Sequence, residues 1–275
     1  MADAQQGVEL GGSYSISEAH KSEYQRDGHV LLRAVASPEE MKVWQPLISG
    51  AAKRYNTETR PVAERDAYGK AFLQIPNLWE KDEAARRFVL AKRFGKVAAD
   101  LMGVEGVRLY HDQALFKEPG GGGTPWHQDQ YYWPLDTEKT ITMWMPLVDC
   151  TEAMGTMRFA SGSQNKGYLG AFEISEKSDQ VFHELITKEG FGQAGGKAMA
   201  AGDATFHCGW VLHNANGNST ERTREAMTII YYADGAKASQ PQNKNQEQDL
   251  KSWFPGLKPG DLAATARNPL VYSRS

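Results

Sequence analysis

Thr124-Pro125-Trp126-His127-Gln128-Asp129-Gln130-Tyr131-Tyr132-Trp133 sets an imidazole and a carboxylate one residue apart inside a run of aromatic side chains. Side chains of an extended chain alternate faces, so positions 127 and 129 are expected on one side of a strand and Gln128 on the other. Such a pair can grip one ion. The run from Asp203 to His213 reads as a second strand, which delivers a further imidazole, His213, from far along the chain. Two imidazoles and one carboxylate on one face of a metal leave the opposite face open, the arrangement in which non-heme Fe(II) binds a cosubstrate and O2 together. Arg224 follows His213 by eleven residues and heads the β-rich run Ala226 to Tyr232. A buried guanidinium there can hold a carboxylate in a two-pronged grip.

Around these residues the chain resembles the phytanoyl-CoA dioxygenase family of Fe(II)/2-oxoglutarate oxygenases. The matching pieces are Lys117-Glu118-Pro119-Gly120, Trp126-His127-Gln128-Asp129, Thr142 to Leu147, Gly155 to Ser163, and His213 through Arg224. They span roughly residues 107 to 235, with a weaker echo at Pro255 to Asp261. A lone His-x-Asp is common, whereas His-x-Asp, a distal His and an Arg eleven residues on form a specific combination.

The resemblance implies a mainly β fold with flanking helices, a double-stranded β-helix (the jelly-roll barrel of cupins). It implies Fe(II) on His127, Asp129 and His213, and 2-oxoglutarate held by Arg224 with Trp144, Gln113 and Lys117 around it. Tyr132 and Trp133 would wall the substrate pocket. The implied catalytic residues are thus His127, Asp129, His213 and Arg224, and O2 is the co-reactant. Oxidative decarboxylation of the cosubstrate gives succinate and CO2 while a substrate C–H bond is oxidised, hydroxylation being the default. Related halogenases replace the carboxylate ligand by a small residue, so Asp129 disfavours halogenation.

Each assignment has an ordinary competitor. An isolated His-x-Asp is more often a surface or capping pair, but the surrounding aromatic residues suit the wall of a ligand site. His207 competes with His213; its eleven-residue step lands on Asn218, which beside Gly217 and Ser219 reads as turn chemistry. Arg222 competes with Arg224, and the family offset selects the latter. Core packing for Trp144 and edge-strand polarity for Gln113 and Lys117 are the plain alternatives. His20, His29, His111 and His183 read as ordinary surface or core histidines. Two other functions compete as well. A non-catalytic barrel is opposed by the intact ligand set, and a cupin-like metalloenzyme without a 2-oxoacid leaves Arg224 unexplained. No basic cluster suited to coenzyme A phosphates lies near the motif, so a small metabolite or natural-product intermediate is the expected substrate.

Composition bounds the rest. The chain has 275 residues, 40% hydrophobic and 24% charged, with a formal net charge of -3, ordinary for a protein with a sizeable core. It carries no basic footprint for nucleic acid. No run approaches the ~18 apolar residues of a membrane helix, and Met1 to Gly12 lacks the pattern of a signal peptide, so a cytoplasmic protein is expected. Two cysteines, Cys150 and Cys208, suit reduced thiols better than a bridge.

Residues 1–13 are expected to be disordered and 14–275 to form one domain, with a helical buttress over about 37–102, a barrel over about 107–235 and a loop-rich end over 236–275. Helices are predicted over Ser17 to Arg26, over Pro38 to about Tyr55 with Ser37 and Glu40 as a capping box, over Asp82 to Met102, and over Ser175 to Thr187. Strands are predicted at His29 to Val35, Val107 to Phe116, Ile141 to Val148 and Met157 to Phe159. Residues 56–70 and 236–251 read as loops, the first bordering the site mouth. The four glycines from Gly120 read as a flexible turn; no helix start or Lys-Ser/Thr follows to make them a phosphate cradle.

Overall fold

The structure, a computed structural model, describes residues 10–170 and 172–274. Of the stretch expected to be disordered, residues 1–9 lie outside the described residues, and Leu10 is buried in the core. Helix α1 (Glu18–Asp27) is capped by Ser17 and stopped by Gly28, whose φ of 78° suits a residue without a Cβ. Strand β1 (His29–Leu32) ends earlier than expected, because Ala34 turns at a φ of 49° and donates its N–H to Asp203 at 2.9 Å. Helix α2 (Pro38–Tyr55) begins as predicted: Ser37 Oγ accepts from the Glu40 N–H, and the Glu40 carboxylate accepts from the Ser37 N–H at 2.7 Å.

Residues 56–70 are less irregular than expected, since a 3-10 turn (Val62–Glu64) and α3 (Ala67–Ala71) lie in or next to them. Strand β2 (Leu73–Pro76) and α4 (Leu78–Lys81) follow. The single helix expected from Asp82 to Met102 is two, α5 (Glu83–Val89) and α6 (Lys92–Met102). They part where Ala91 takes an extended ψ of 120°. No Gly or Pro marks the break and the apolar periodicity runs through it, so sequence pattern alone joins them.

The remaining elements are β3 (Gly106–Lys117), β4 (Thr124–His127), β5 (Thr140–Pro146), β6 (Met157–Ser161), α7 (Glu176–Glu189), β7 (Gly192–Gly195), β8 (Ala204–Cys208), β9 (His213–Ala215), β10 (Arg224–Ala233), α8 (Lys244–Trp253) and β11 (Leu270–Ser273). Pairing is antiparallel throughout. A major sheet runs β1-β8-β5-β10-β3-β11, with β2 also on β3, and a minor sheet runs β4-β9-β6-β7. Side chains from both sheets meet around one cavity, the arrangement of a jelly-roll. Helix α8 corrects the loop expected over 236–251. It buries no residue fully and offers only Leu250 and Trp253 as an apolar side, and it starts where Asn243 accepts the Gln246 N–H at 2.9 Å.

The major sheet has two working faces, which is why β5 and β10 are buried almost throughout. Met227, Ile229 and Tyr231 of β10 alternate outward with Ile141, Met143 and Met145 of β5, into one apolar cluster with Trp44, Phe88 and Phe94 of the helices. Each such side chain contributes roughly 1.5–3 kcal/mol on burial. Polar ties fix the helices on that face: Ser49 Oγ and Gln45 Nε2 donate to Glu225, and Asp112 accepts the Leu78 and Trp79 N–H groups at the start of α4. The opposite face lines the cavity. Thiols Cys150 and Cys208 are unpaired, as expected. Among the described residues no helix is long and apolar enough to cross a membrane.

Gly202 joins the end of β5 to the start of β8. Its φ is +86°, its N–H donates to Pro146 O, its carbonyl accepts from Ala36, and an added Cβ would lie 2.1 Å from Ala36 O. Gly202→Ala is expected to cost ~2–4 kcal/mol of stability in urea unfolding. A midpoint equal to that of the parent protein would contradict this account of the joint.

Candidate metal centre

Strand β4 ends at His127, and Asp129 opens a 3-10 turn (Asp129–Tyr132) instead of continuing the strand. The expected alternation on one strand is therefore not what unites the pair. The unifying contact is a cross-strand one: His127 and His213 are register partners of β4 and β9, with ring centroids 4.1 Å apart. The expected strand from Asp203 to His213 is likewise two pieces in different sheets. The chain leaves the major sheet after Cys208, turns through residues 209–212 and enters the minor sheet at His213.

Gln128, the spacer of the motif, staples this crossing. Its Nε2 donates to Gly167 O at 2.8 Å and to Trp210 O at 2.6 Å, and its Oε1 accepts from the Leu169 N–H. The turn after the motif adds a further tie, Gln130 N–H to Gly209 O at 2.9 Å.

One ligand atom from each of His127, Asp129 and His213 lies within 4.8 Å of the others. Both histidines present Nε2 at 3.5 Å from Asp129 Oδ1, while their Nδ1 atoms face the carbonyls of Pro125 (2.7 Å) and Val211 (3.1 Å). Those carbonyls hold each ring in the tautomer whose Nε2 lone pair points inward. Thr142 Oγ1 donates to Asp129 Oδ2 at 3.1 Å and leaves Oδ1 toward the rings. Burial alone would raise the Asp129 pKa, but the His213 charge and the three imidazoles close to it hold it well below the usual carboxylate range. Burial works against His213 too, yet the Asp129 charge outweighs it and raises that imidazole. Burial, then the neighbouring His213, lowers His127. One anion ringed by inward nitrogens, with an open cavity beside it, fits a divalent transition ion.

The third imidazole at Asp129 is His207, with Nε2 3.5 Å from Oδ2 and no hydrogen-bond partner on either nitrogen. It lies outside the three-residue ligand group. His207, Thr142, Ile230 and His111 form one cross-strand row on the inner face of the major sheet, and Thr205, Trp144, Thr228 and Gln113 form the next. All of these but Thr205 floor a cavity of about 390 Å³.

Arg224 lies at the far end of that floor, 2% exposed. Its Nη1 donates to Gly155 O at 2.6 Å, its guanidinium sits 5.3 Å over the Trp144 ring, and Nε has no partner. Among the described residues no carboxylate pairs with it. Burial lowers its pKa to about 10, still far above neutrality. Trp144 Nε1 is also buried without a partner. A buried cation and an indole donor facing a cavity make a receptor for an anion. Arg222 is exposed, and Asn218 shapes the turn as expected, donating to Lys117 O and Arg222 O.

Gln113, Tyr132 and Trp133 line the cavity as the sequence suggests; Lys117 does not. Lys117 is fully buried with Nζ donating to Gly122 O, and burial, then Arg224, lowers its pKa to about 7. The glycine turn it holds is also tied by Gly122 N–H to Lys70 O and Asn218 N–H to Gly121 O. The expected flexible turn is pinned from both sides. Several wall residues escaped sequence reading. His111 is no ordinary core histidine: it faces the cavity with Trp253 4.5 Å from its ring. Asp249, Asn245 and Trp253 come from the helix read as a loop, and Glu173 from the connection before α7. Thr142 was findable, since it lies two residues from Trp144 on the same strand face.

The model of the phytanoyl-CoA dioxygenase family matches residues 24–226. The chain is 22% identical over 227 residues to a 2-aminoethylphosphonate dioxygenase from the uncultured bacterium HF130_AEPn_1, covering 78% of this chain and 81% of that one. Its fold is similar to the α-ketoglutarate-dependent carbocyclase SnoK from nogalamycin biosynthesis, with a TM-score of 0.77, 22% identity, and 95% and 100% of the two chains covered. It is also similar to the epimerase SnoN, solved with Fe3+, α-ketoglutarate and nogalamycin RO, at a TM-score of 0.74 and 23% identity over 93% and 98% of the chains.

If the ring of donors is an ion site, Co(II) should bind with one ion per chain, and Asp129→Ala or His213→Ala should lose it while unfolding near the parent temperature. Stoichiometric Co(II) retained in both variants would contradict the assignment.

Proposed function

The chain belongs to the phytanoyl-CoA dioxygenase family, and from that premise we propose that His127, Asp129 and His213 hold its iron and Arg224 its cosubstrate, for oxidation of a small organic molecule. It is an Fe(II)/2-oxoglutarate-dependent dioxygenase. Bound in this cavity, Fe(II) would activate O2 as the oxidant, two of the four electrons coming from 2-oxoglutarate as it is converted to succinate and CO2 and two from the substrate C–H bond.

The protein's part is positioning and enclosure. Pro125 O and Val211 O orient the two imidazoles, and Thr142 steadies Asp129, so the donors are set before the ion arrives. Gly155 O occupies one edge of the Arg224 guanidinium and leaves Nε for a carboxylate, with Trp144 beneath. The unpaired buried guanidinium is the observation that carries this reading, because a dicarboxylate reaching from the metal centre offsets its burial. Tyr132 and Trp133 wall the substrate end, and hydroxylation is the default outcome, Asp129 disfavouring halogenation.

Arg224 is the one Lys or Arg among the described lining residues. Once it holds the cosubstrate, no second Lys or Arg of the described lining remains to pair with the phosphonate that the similar dioxygenase's name specifies, or with coenzyme A phosphates. The substrate is therefore a small molecule of another kind. Residues 14–275 act as one catalytic unit, and the unpaired thiols suit a cytoplasmic enzyme.

Arg224→Gln is expected to weaken 2-oxoglutarate by ~30-fold or more in calorimetric titration, the loss of a buried charge partner, with metal stoichiometry unchanged. An unaltered affinity would contradict the assignment.

A further inference from the structure

The cavity has a second end, opposite Arg224 along the inner rows. It is formed by Asp249 and Trp253 of α8, His111 of β3, Tyr132 and Glu173. Taking the cofactor assignment above as given, the charges at the first end cancel: two positive on the ion and one on Arg224, against one negative on Asp129 and two on 2-oxoglutarate. The remaining permanently ionisable groups of the wall are both acids, Asp249 and Glu173. Their end of the cavity is negative in the assembled enzyme.

Asp249 is the sharper of the two. It is half-buried, its Oδ2 accepts from Tyr110 Oη at 2.7 Å, and among the described residues no Lys or Arg pairs with it. Burial, partly offset by hydrogen bonds from Tyr110 and Trp253, lifts its pKa to about 6. A neutral acceptor would satisfy the Tyr110 hydroxyl equally well. Nor does the helix need this charge for anchorage. Asn243 and Gln246 donate to Tyr131 O, and Asn245 donates to Glu173 at 2.9 Å. Aromatic faces surround the carboxylate, Trp253 against His111 at 4.5 Å and Trp133 against Tyr110 at 5.5 Å. A desolvated carboxylate among aromatic faces is the surrounding that a compact organic cation prefers.

We infer that the substrate carries a cationic nitrogen, a protonated amine or quaternary ammonium, seated on the cavity side of the Asp249 carboxylate and against the face of the Trp253 indole, with its oxidised carbon toward the metal centre. Asp249 then selects substrate by charge and Trp253 by the shape and polarity of its face. Glu173, exposed at the rim and held by Asn245, adds a same-sign attraction at the entrance. A substrate with an anionic group at this position is rejected.

The test uses two pairs of probes that differ mainly in charge: choline against 3,3-dimethylbutan-1-ol, and propylamine against propan-1-ol. The full chain is loaded with Mn(II) and 2-oxoglutarate, and paramagnetic relaxation of the probe protons reports occupancy beside the metal. At least one cation is expected to bind ~10-fold or more tightly than its neutral partner. Asp249→Asn, which keeps the volume and the acceptor for Tyr110, should abolish that preference, and Trp253→Leu should reduce it. The 2-oxoglutarate affinity should stay unchanged in both. Equal binding within both pairs, failure of both cations to bind, or a preference that survives Asp249→Asn would overturn the assignment. The 2-oxoglutarate titration separates the two claims: its failure removes the cofactor reading, whereas intact cosubstrate binding without cation preference removes only the ammonium.

Discussion

The antiparallel register that sets His127 of β4 opposite His213 of β9 is the constraint on which the site depends. It brings together two residues far apart in sequence, at the edge of a four-stranded sheet that would be marginal alone. The register is fixed from outside the pair. Phe159 of β6 is the other register partner of His213, and Gln128 bonds to Trp210 O on the turn leading into β9. A slip by one residue would send one imidazole to the opposite face of the sheet. The minor sheet is thus held by polar staples together with the apolar cluster of Trp126, Ala160 and Leu212 with Phe182 and Ile186 of α7.

The major sheet supplies the complementary wall by burying both of its faces. One face carries the apolar side chains that bind the helices, the other a polar floor laid out in cross-strand rows. Such a floor is costly unless ligands complete it, and the unpartnered atoms concentrate there: Arg224 Nε, Trp144 Nε1, and both nitrogens of His207. The cavity is in that sense built around molecules it must receive. Its two ends differ in charge, a guanidinium at one and carboxylates at the other.

Much of this was legible from residue types and spacing. His127, Asp129 and Arg224 announce themselves because their chemistry is specific, and the capping box at Ser37 and Glu40 is a local signal that needs no tertiary context. What the sequence misplaces is decided by packing at a distance. Asp129 leaves the strand because the 3-10 turn, tied to Gly209 O, offers the chain a second partner. The helix break at Ala91 lets both halves pack on the core without any residue that breaks helices. Helix α8 has only Leu250 and Trp253 as apolar residues, too few for periodicity to reveal; it is held by its cap, its bonds to Tyr131 O and the packing of those two side chains. Because α8 was invisible, so were Asp249 and Trp253, and with them the charge of that end of the cavity. Lys117 shows the converse: a residue of the right type, in register with Arg224, is drawn instead to the carbonyl of Gly122.

The central claim is that iron on His127, Asp129 and His213 and 2-oxoglutarate on Arg224 share one cavity. Anaerobic titration of the Fe(II)-loaded protein with 2-oxoglutarate tests it most directly, through the weak visible charge-transfer band of keto-acid chelation. The account predicts a band that saturates at one equivalent in the parent protein and is absent from His213→Ala. No band with iron bound, or an unchanged band in His213→Ala, would contradict it.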